Sequence, residues 1–172
     1  RARAHRFARA DQGSRVVIPR LFCEGEIAAG TTLALPEAAA HHARDVLRLA
    51  AGSEVTLLNG LGGEYRARIV ELHKKAVTVE VLEFRQRDSE APYPVTIAQS
   101  LASGDKMDWI VEKAVELGAV AVEPVAASRS VLRLAPERAA KRLAHWNAIA
   151  RSACEQCGRN RLPTIAPVRD YD

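Results

Sequence analysis

Glu155-Gln156-Cys157-Gly158-Arg159-Asn160 gathers a carboxylate, an amide, a thiol and a guanidinium where a helical pattern runs out at a glycine. A carboxylate there can take a proton, and a guanidinium can hold an anion that forms beside it. The plainer reading is local. Glu155 stands four residues from both Arg151 and Arg159, the spacing of a solvated ion-pair ladder on a helix. Spacing alone favours the ladder. Cys154 and Cys157 form a Cys-x-x-Cys pair at the C-terminal end of the same helix. The helix dipole there opposes a thiolate, and no further ligands with zinc spacing are near, so both are expected to be packing residues rather than a redox or metal site.

A second group is cationic. His41-His42-x-Arg44-x-x-x-Arg48 lies on a short helical stretch. Neighbouring histidines on a helix point about 100° apart and make a poor metal pair, whereas Arg44 and Arg48 are placed to share a face and hold successive phosphates. Arg20 and Phe22, two apart on an opening strand, can add a charge and a stacking surface. Lys106 opens another helix, where the dipole gives a cation no benefit, and Arg129-Ser130-x-x-Arg133 follows a strand at the edge where α/β sheets present ligands. Each residue alone reads as ordinary surface; together they outline a local RNA patch. No glycine-rich nucleotide fingerprint, phosphate-binding loop or Ser/His/Asp order occurs.

The elements that must position these groups change character midway. From Pro19 to about Arg87, short alternating runs at 31–35, 54–59, 64–72 and 76–84 read as strands, with turns at Asn59–Gly63 and His73–Lys75. One helix, Pro36 to about Leu49, interrupts them, with Gly52 just past its end. That is the pattern of a small β-barrel. Residues 88–94 read as a polar linker. From residue 95 to 172 the pattern is α/β: strands at 95–101 and 120–125 flank an amphipathic helix over Lys106–Gly118, capped by Ser103 or Asp105. Met107, Ile110, Val111, Ala114 and Val115 share its apolar face. A long helix from Pro136 to Cys157 follows, with Leu143, Trp146, Ile149, Ala153 and Cys157 as its stripe, then a third strand over Thr164–Val168. Strand–helix–strand units need a parallel sheet, so the fold class is α+β overall, a barrel followed by an α/β domain.

Composition narrows the classes. Across 172 residues, 48% are hydrophobic, enough for two small cores. No apolar run reaches membrane-spanning length and no secretory signal opens the chain. Three cysteines are too few for a disulfide scaffold, which makes a reducing cytoplasm the expected setting. Residues 1–18 carry five arginines against Asp11, so this tail accounts for the whole net charge of +4. It is expected to be disordered, as a nucleic-acid arm, a targeting segment or an upstream extension. An RNA site on the folded part must therefore be a local patch.

Five segments, in order, resemble one family closely. They are Pro19-Arg20-Leu21-Phe22, the His41–Arg48 helix, Gly104–Gly118, Ser128-Arg129-Ser130-Val131, and Trp146 with Glu155–Arg159. The chain over 19 to about 168 is similar to the bacterial 16S ribosomal RNA uridine-N3 methyltransferases of the SPOUT, or trefoil-knot, class. The resemblance implies a PUA-like barrel that docks RNA, a SPOUT domain that dimerises, S-adenosylmethionine as methyl donor, and 16S ribosomal RNA of the small subunit as partner. It implies that Arg20, His41, His42, Arg44 and Arg48 contact RNA, and that Glu155, Gln156 and Arg159 lie near the target base. Family members continue with a Gly-Pro-Glu-Gly-Gly loop and a Leu-Gly-x-Arg-Ile-Leu-Arg segment that hold the cofactor. Neither occurs here, so the SPOUT domain is expected to be truncated, cofactor-binding residues are not assigned, and binding of S-adenosylmethionine by these residues is expected to be weak or nil. The alternative is a non-catalytic RNA-binding protein that uses the barrel alone.

Overall fold

The computed structural model describes residues 18–74, 76–127 and 135–171. The expectations placed on the basic tail before Ile18 and on Arg129, Ser130 and Arg133 lie outside the described residues.

In the first half, β1 (Arg20–Phe22), β2 (Thr32–Ala34), β3 (Glu54–Leu58), β4 (Glu64–Leu72) and β5 (Val77–Arg85) form one five-stranded sheet in the order β1-β3-β4-β5-β2. β1 runs parallel to β3 and the other pairings are antiparallel. Period-two alternation sends Val55, Leu57, Ala67, Ile69, Val77, Val79 and Val81 inward, all with no exposed surface. Register shifts in β4 at Arg66/Ala67 and Ile69/Glu71 bend the sheet around this core.

The first helix departs from expectation. Only Glu37–His41 is α-helical (α1); the next five residues, His42–Val46, widen into a π turn with the Leu47 N–H on the His42 carbonyl at 2.9 Å. Arg48 then takes a left-handed conformation, φ 53°, and the Leu49 N–H closes the end on the Ala43 carbonyl at 2.9 Å. The expected helix to Leu49 is therefore shorter. Arg44 and Arg48 do not share a helical face, because the chain has already turned back at Arg48.

In the second half, β6 (Thr96–Ser100), α2 (Lys106–Glu116), β7 (Ala121–Ala127), α3 (Pro136–Cys157), β8 (Thr164–Ile165) and β9 (Arg169–Tyr171) build a parallel sheet with β7 at its centre. The third strand predicted over Thr164–Val168 is instead two pieces on one edge of β7, split at Pro167, which has no N–H for the ladder. Met107, Val111, Ala114 and Val115 of α2 pack with Trp146, Ala150, Ala153 and Cys154 of α3. Cys154 takes the buried place on the apolar stripe expected for Cys157, which is exposed at the end of α3.

The two halves are joined by more than a linker. Leu58, at the end of β3, is fully buried in the second core, with Phe22 packed against it. Leu61 bridges to Arg161, and the Leu162 N–H donates to the Gly60 carbonyl at 3.0 Å. The segment after β5 is not a free tether: the Arg87 carbonyl accepts from Asn160 Nδ2 at 3.1 Å, and Glu90 is held by Arg159.

Candidate functional site

β1 is an edge strand, and its three residues divide their labour by face. Leu21 points into the first core, while Arg20 and Phe22 point at the second half of the chain. The Arg20 guanidinium donates to Glu64 Oε2 at 2.7 Å, to Asn160 Oδ1 at 2.5 Å and to the Arg159 carbonyl at 3.2 Å. The unpaired strand edge is satisfied from across the junction: the Phe22 N–H donates to Glu155 Oε1 at 2.7 Å. Arg151 lies over the Phe22 ring, 5.3 Å from its centre, and pairs with Glu24.

These contacts wall a cleft of about 270 Å³ between β1, α1 and α3. Phe22, His42 and Glu155 line it together with Arg151, Glu24 and Ala39. Burial pushes the Glu155 carboxyl above its ordinary range, against the lowering pull of the Phe22 N–H and of the His42 and Arg20 charges. Three residues singled out from sequence, on three elements, thus meet in one amphipathic hollow with an acid, a guanidinium and an aromatic face. Such a hollow can receive a flat polar ring.

The other two members of the expected catalytic trio stand elsewhere. Gln156, one position on, is exposed over a separate shallow hollow with Glu112, Ile149 and Ser152. Arg159 is 4% exposed. Its Nη1 donates to the Val115 and Ala119 carbonyls at 2.9 and 2.8 Å, capping the end of α2, and its remaining donors grip Glu90. The ion-pair ladder read from spacing does not form: Arg151 pairs with Glu24, Arg159 with Glu90, and Glu155 with a backbone N–H.

Among the cationic candidates, His41 is exposed and 3.6 Å from Asp45. Arg44 donates to both Asp45 oxygens and to the Lys74 carbonyl at 2.7 Å, and its guanidinium holds the Asp45 carboxyl below the usual range. Lys106 is exposed at the first position of α2. Sequence reasoning missed Glu64, Glu90 and Asn160, the partners that fix Arg20 and Arg159. Asn160 is 1% exposed, and its place directly after the Glu155–Arg159 segment was the only signal of its role.

The Cys154 thiol is pushed up to about 12, first by burial and then by Cys157, and rests 3.6 Å from the Arg161 carbonyl. That geometry opposes dithiol chemistry. Among the described residues, no three His, Cys, Asp or Glu side chains are grouped to hold a metal, and no helix is long and apolar enough to cross a membrane.

Comparison with known proteins places both halves. Residues 89–172 match the RNA methyltransferase domain, and residues 35–82 match the RNA methyltransferase PUA domain. The ribosomal RNA small subunit methyltransferase E of Bacillus subtilis is 35% identical over 131 residues, covering 76% of this chain and 51% of that protein. Its counterpart in Synechocystis is 33% identical, over 89% of this chain and 48% of the relative. The chain thus spans about half the length of these relatives. The crystal structure of a ribosomal RNA small subunit methyltransferase E from Neisseria gonorrhoeae bound to S-adenosyl methionine superimposes with a TM-score of 0.84 at 41% identity, over 88% of this chain and 62% of that one. A putative methyltransferase from Legionella pneumophila in complex with the same cofactor gives a TM-score of 0.87 at 32% identity, over 90% and 64%.

Proposed function

We propose that this chain, which belongs to the ribosomal RNA small subunit methyltransferase E family, serves S-adenosylmethionine-dependent methylation of uridine N3 in 16S ribosomal RNA, in the cytoplasm and as a homodimer. The observation that carries the reading is the junction cleft, where Phe22, His42 and Glu155 from both halves of the molecule converge. The barrel docks the RNA through His41, His42, Arg44 and Arg48, and the cleft takes an unstacked base against Phe22. When S-adenosylmethionine is bound, it supplies the methyl group.

Methylation of N3 requires loss of the N3 proton. Of the three residues at the end of α3 with the expected role, only Glu155 faces the cleft, and a carboxylate raised above its usual range is the better base. Arg20 and Arg159 act by position: they hold β1, α2 and α3 in register around it. The cation-lined hollow at the end of β6 is a poor seat for a sulfonium cofactor, so no step is assigned to the cofactor through these residues.

The test incubates the protein with unmodified small subunits and S-adenosylmethionine, then digests the RNA and searches for 3-methyluridine by mass spectrometry. Appearance of that nucleoside, cut at least ten-fold by Glu155→Gln, supports this reading and overturns the weak or nil cofactor binding expected from the sequence. RNA binding without methyl transfer would replace this reading with the barrel-only RNA-binding one.

A further inference from the structure

A second hollow, of about 510 Å³, lies away from the junction, between the start of α2 and the first half of α3, at the C-terminal end of β6. Arg138, Lys141, Arg142 and His145 line it from successive turns of one helix face. Seven residues of helix set the outer two about 10 Å apart. Asp108, the acid that contacts two members of this row, is already engaged. Its Oδ1 accepts from Trp146 Nε1 at 3.0 Å and lies 3.9 Å from Arg142, while Oδ2 is 2.8 Å from His145 Nε2. Arg138 and Lys141 are exposed and form no ion pair among the described residues.

Arg138 sits in the first turn of α3, where the helix dipole disfavours positive charge, and an anion held against the row relieves that cost. No large apolar side chain in the lining stands out as an anchor for a protein: Leu101, Met107 and Trp146 are 8%, 1% and 2% exposed. A row of cations with no exposed apolar anchor suits a polyanion whose charges repeat. The hollow also opens at the sheet edge where parallel strands present ligands, close to Lys106.

We infer that the α2–α3 hollow is a second RNA-binding surface, which holds backbone phosphates without reading sequence while the barrel docks another part of the same RNA. The inference rests on the RNA-directed reading above. Phosphate contacts position a nucleic acid and carry no base information, so the effect is the same on any sequence.

The test is an Arg138→Gln/Lys141→Gln double variant of the whole chain, titrated with labelled single-stranded RNA, U-rich and A-rich, between about 50 and 200 mM salt. Both side chains are exposed, so an unchanged thermal melt verifies the fold. Losing two phosphate contacts should lower the slope of log affinity against log salt by about 1.4 and weaken low-salt binding roughly ten-fold on both RNAs. An Arg44→Gln/Arg48→Gln variant reports on the barrel in parallel. Wild-type binding that the barrel variant weakens and the α3 variant leaves unchanged overturns this inference alone, as it would if the surface met an acidic protein instead. No RNA binding by the wild type overturns both.

Discussion

Glu155 is pulled two ways: burial favours its neutral form, while the Phe22 N–H and the nearby His42 and Arg20 charges favour its anion, and burial is the larger effect. A carboxyl whose folded pKa is raised binds its proton more tightly in the native state than in the unfolded chain. Its contribution to stability therefore declines as pH rises from the ordinary value of 4.5 through the higher folded one. Glu155→Gln keeps an oxygen for the Phe22 N–H and removes the titration. The variant should gain on the wild type in thermal melts as pH is raised from about 4 to 7. A gap that stays constant across that range would mean that burial does not govern this carboxyl. None of these partnerships was legible locally. Four-residue spacing paired Glu155 with Arg151 and Arg159, yet Phe22 lies 133 positions away and Glu90 is 69 from Arg159. Helical neighbours always look paired in a sequence; the chain's return across the junction offers better-shielded partners and takes them.

Elements were read more securely where a single period ran uninterrupted. α3 spans Pro136–Cys157 as its proline start and Gly158 stop dictate, and Gly158 holds the left-handed cap at φ 85°. β4 and β5 follow their alternation to within a residue. The α1 region failed because the apolar pattern cannot report a π turn, which keeps side chains roughly on face while it shifts the register by one. Its strain is concentrated at Arg48, a non-glycine residue at φ 53° where helices usually end in glycine. Arg48→Gly should stabilise the protein by about 0.5–1 kcal/mol, read as a higher melting temperature. If Arg48 also meets phosphate, the same variant binds RNA several-fold more weakly, so stability and affinity move in opposite directions. A lower melting temperature would show that the left-handed turn is not strained.

On the scale of the whole molecule, the chain order of a strand-rich unit followed by a parallel α/β unit was legible, although the first is a five-stranded sheet with β1 and β2 at its edges; their union was not legible, because it is made by polar groups far apart in sequence. Arg20 is its centre. It ties β4 through Glu64 to the segment after α3 through Asn160 and the Arg159 carbonyl, with side-chain exposure of only 13% against 11% for Glu64. A shielded ion pair stripped of one partner leaves the other charge in a poorly hydrated place, at a cost of about 3 kcal/mol. In Arg20→Ala, Glu64 would be left with Arg87 at 3.5 Å, and the junction would lose both of Arg20's contacts to the second half, Asn160 Oδ1 and the Arg159 carbonyl. Each half keeps its own apolar cluster, so the damage falls on their coupling. Calorimetry should then resolve one cooperative transition in the wild type and two in Arg20→Ala, with Arg20→Lys intermediate because a lysine keeps the charge but not the fork. Two transitions already present in the wild type, or one unshifted transition in the variant, would show that the Leu58 and Phe22 packing alone unites the halves. The distinction matters for function, because the cleft around Glu155 exists only while β1 and α3 stay in contact.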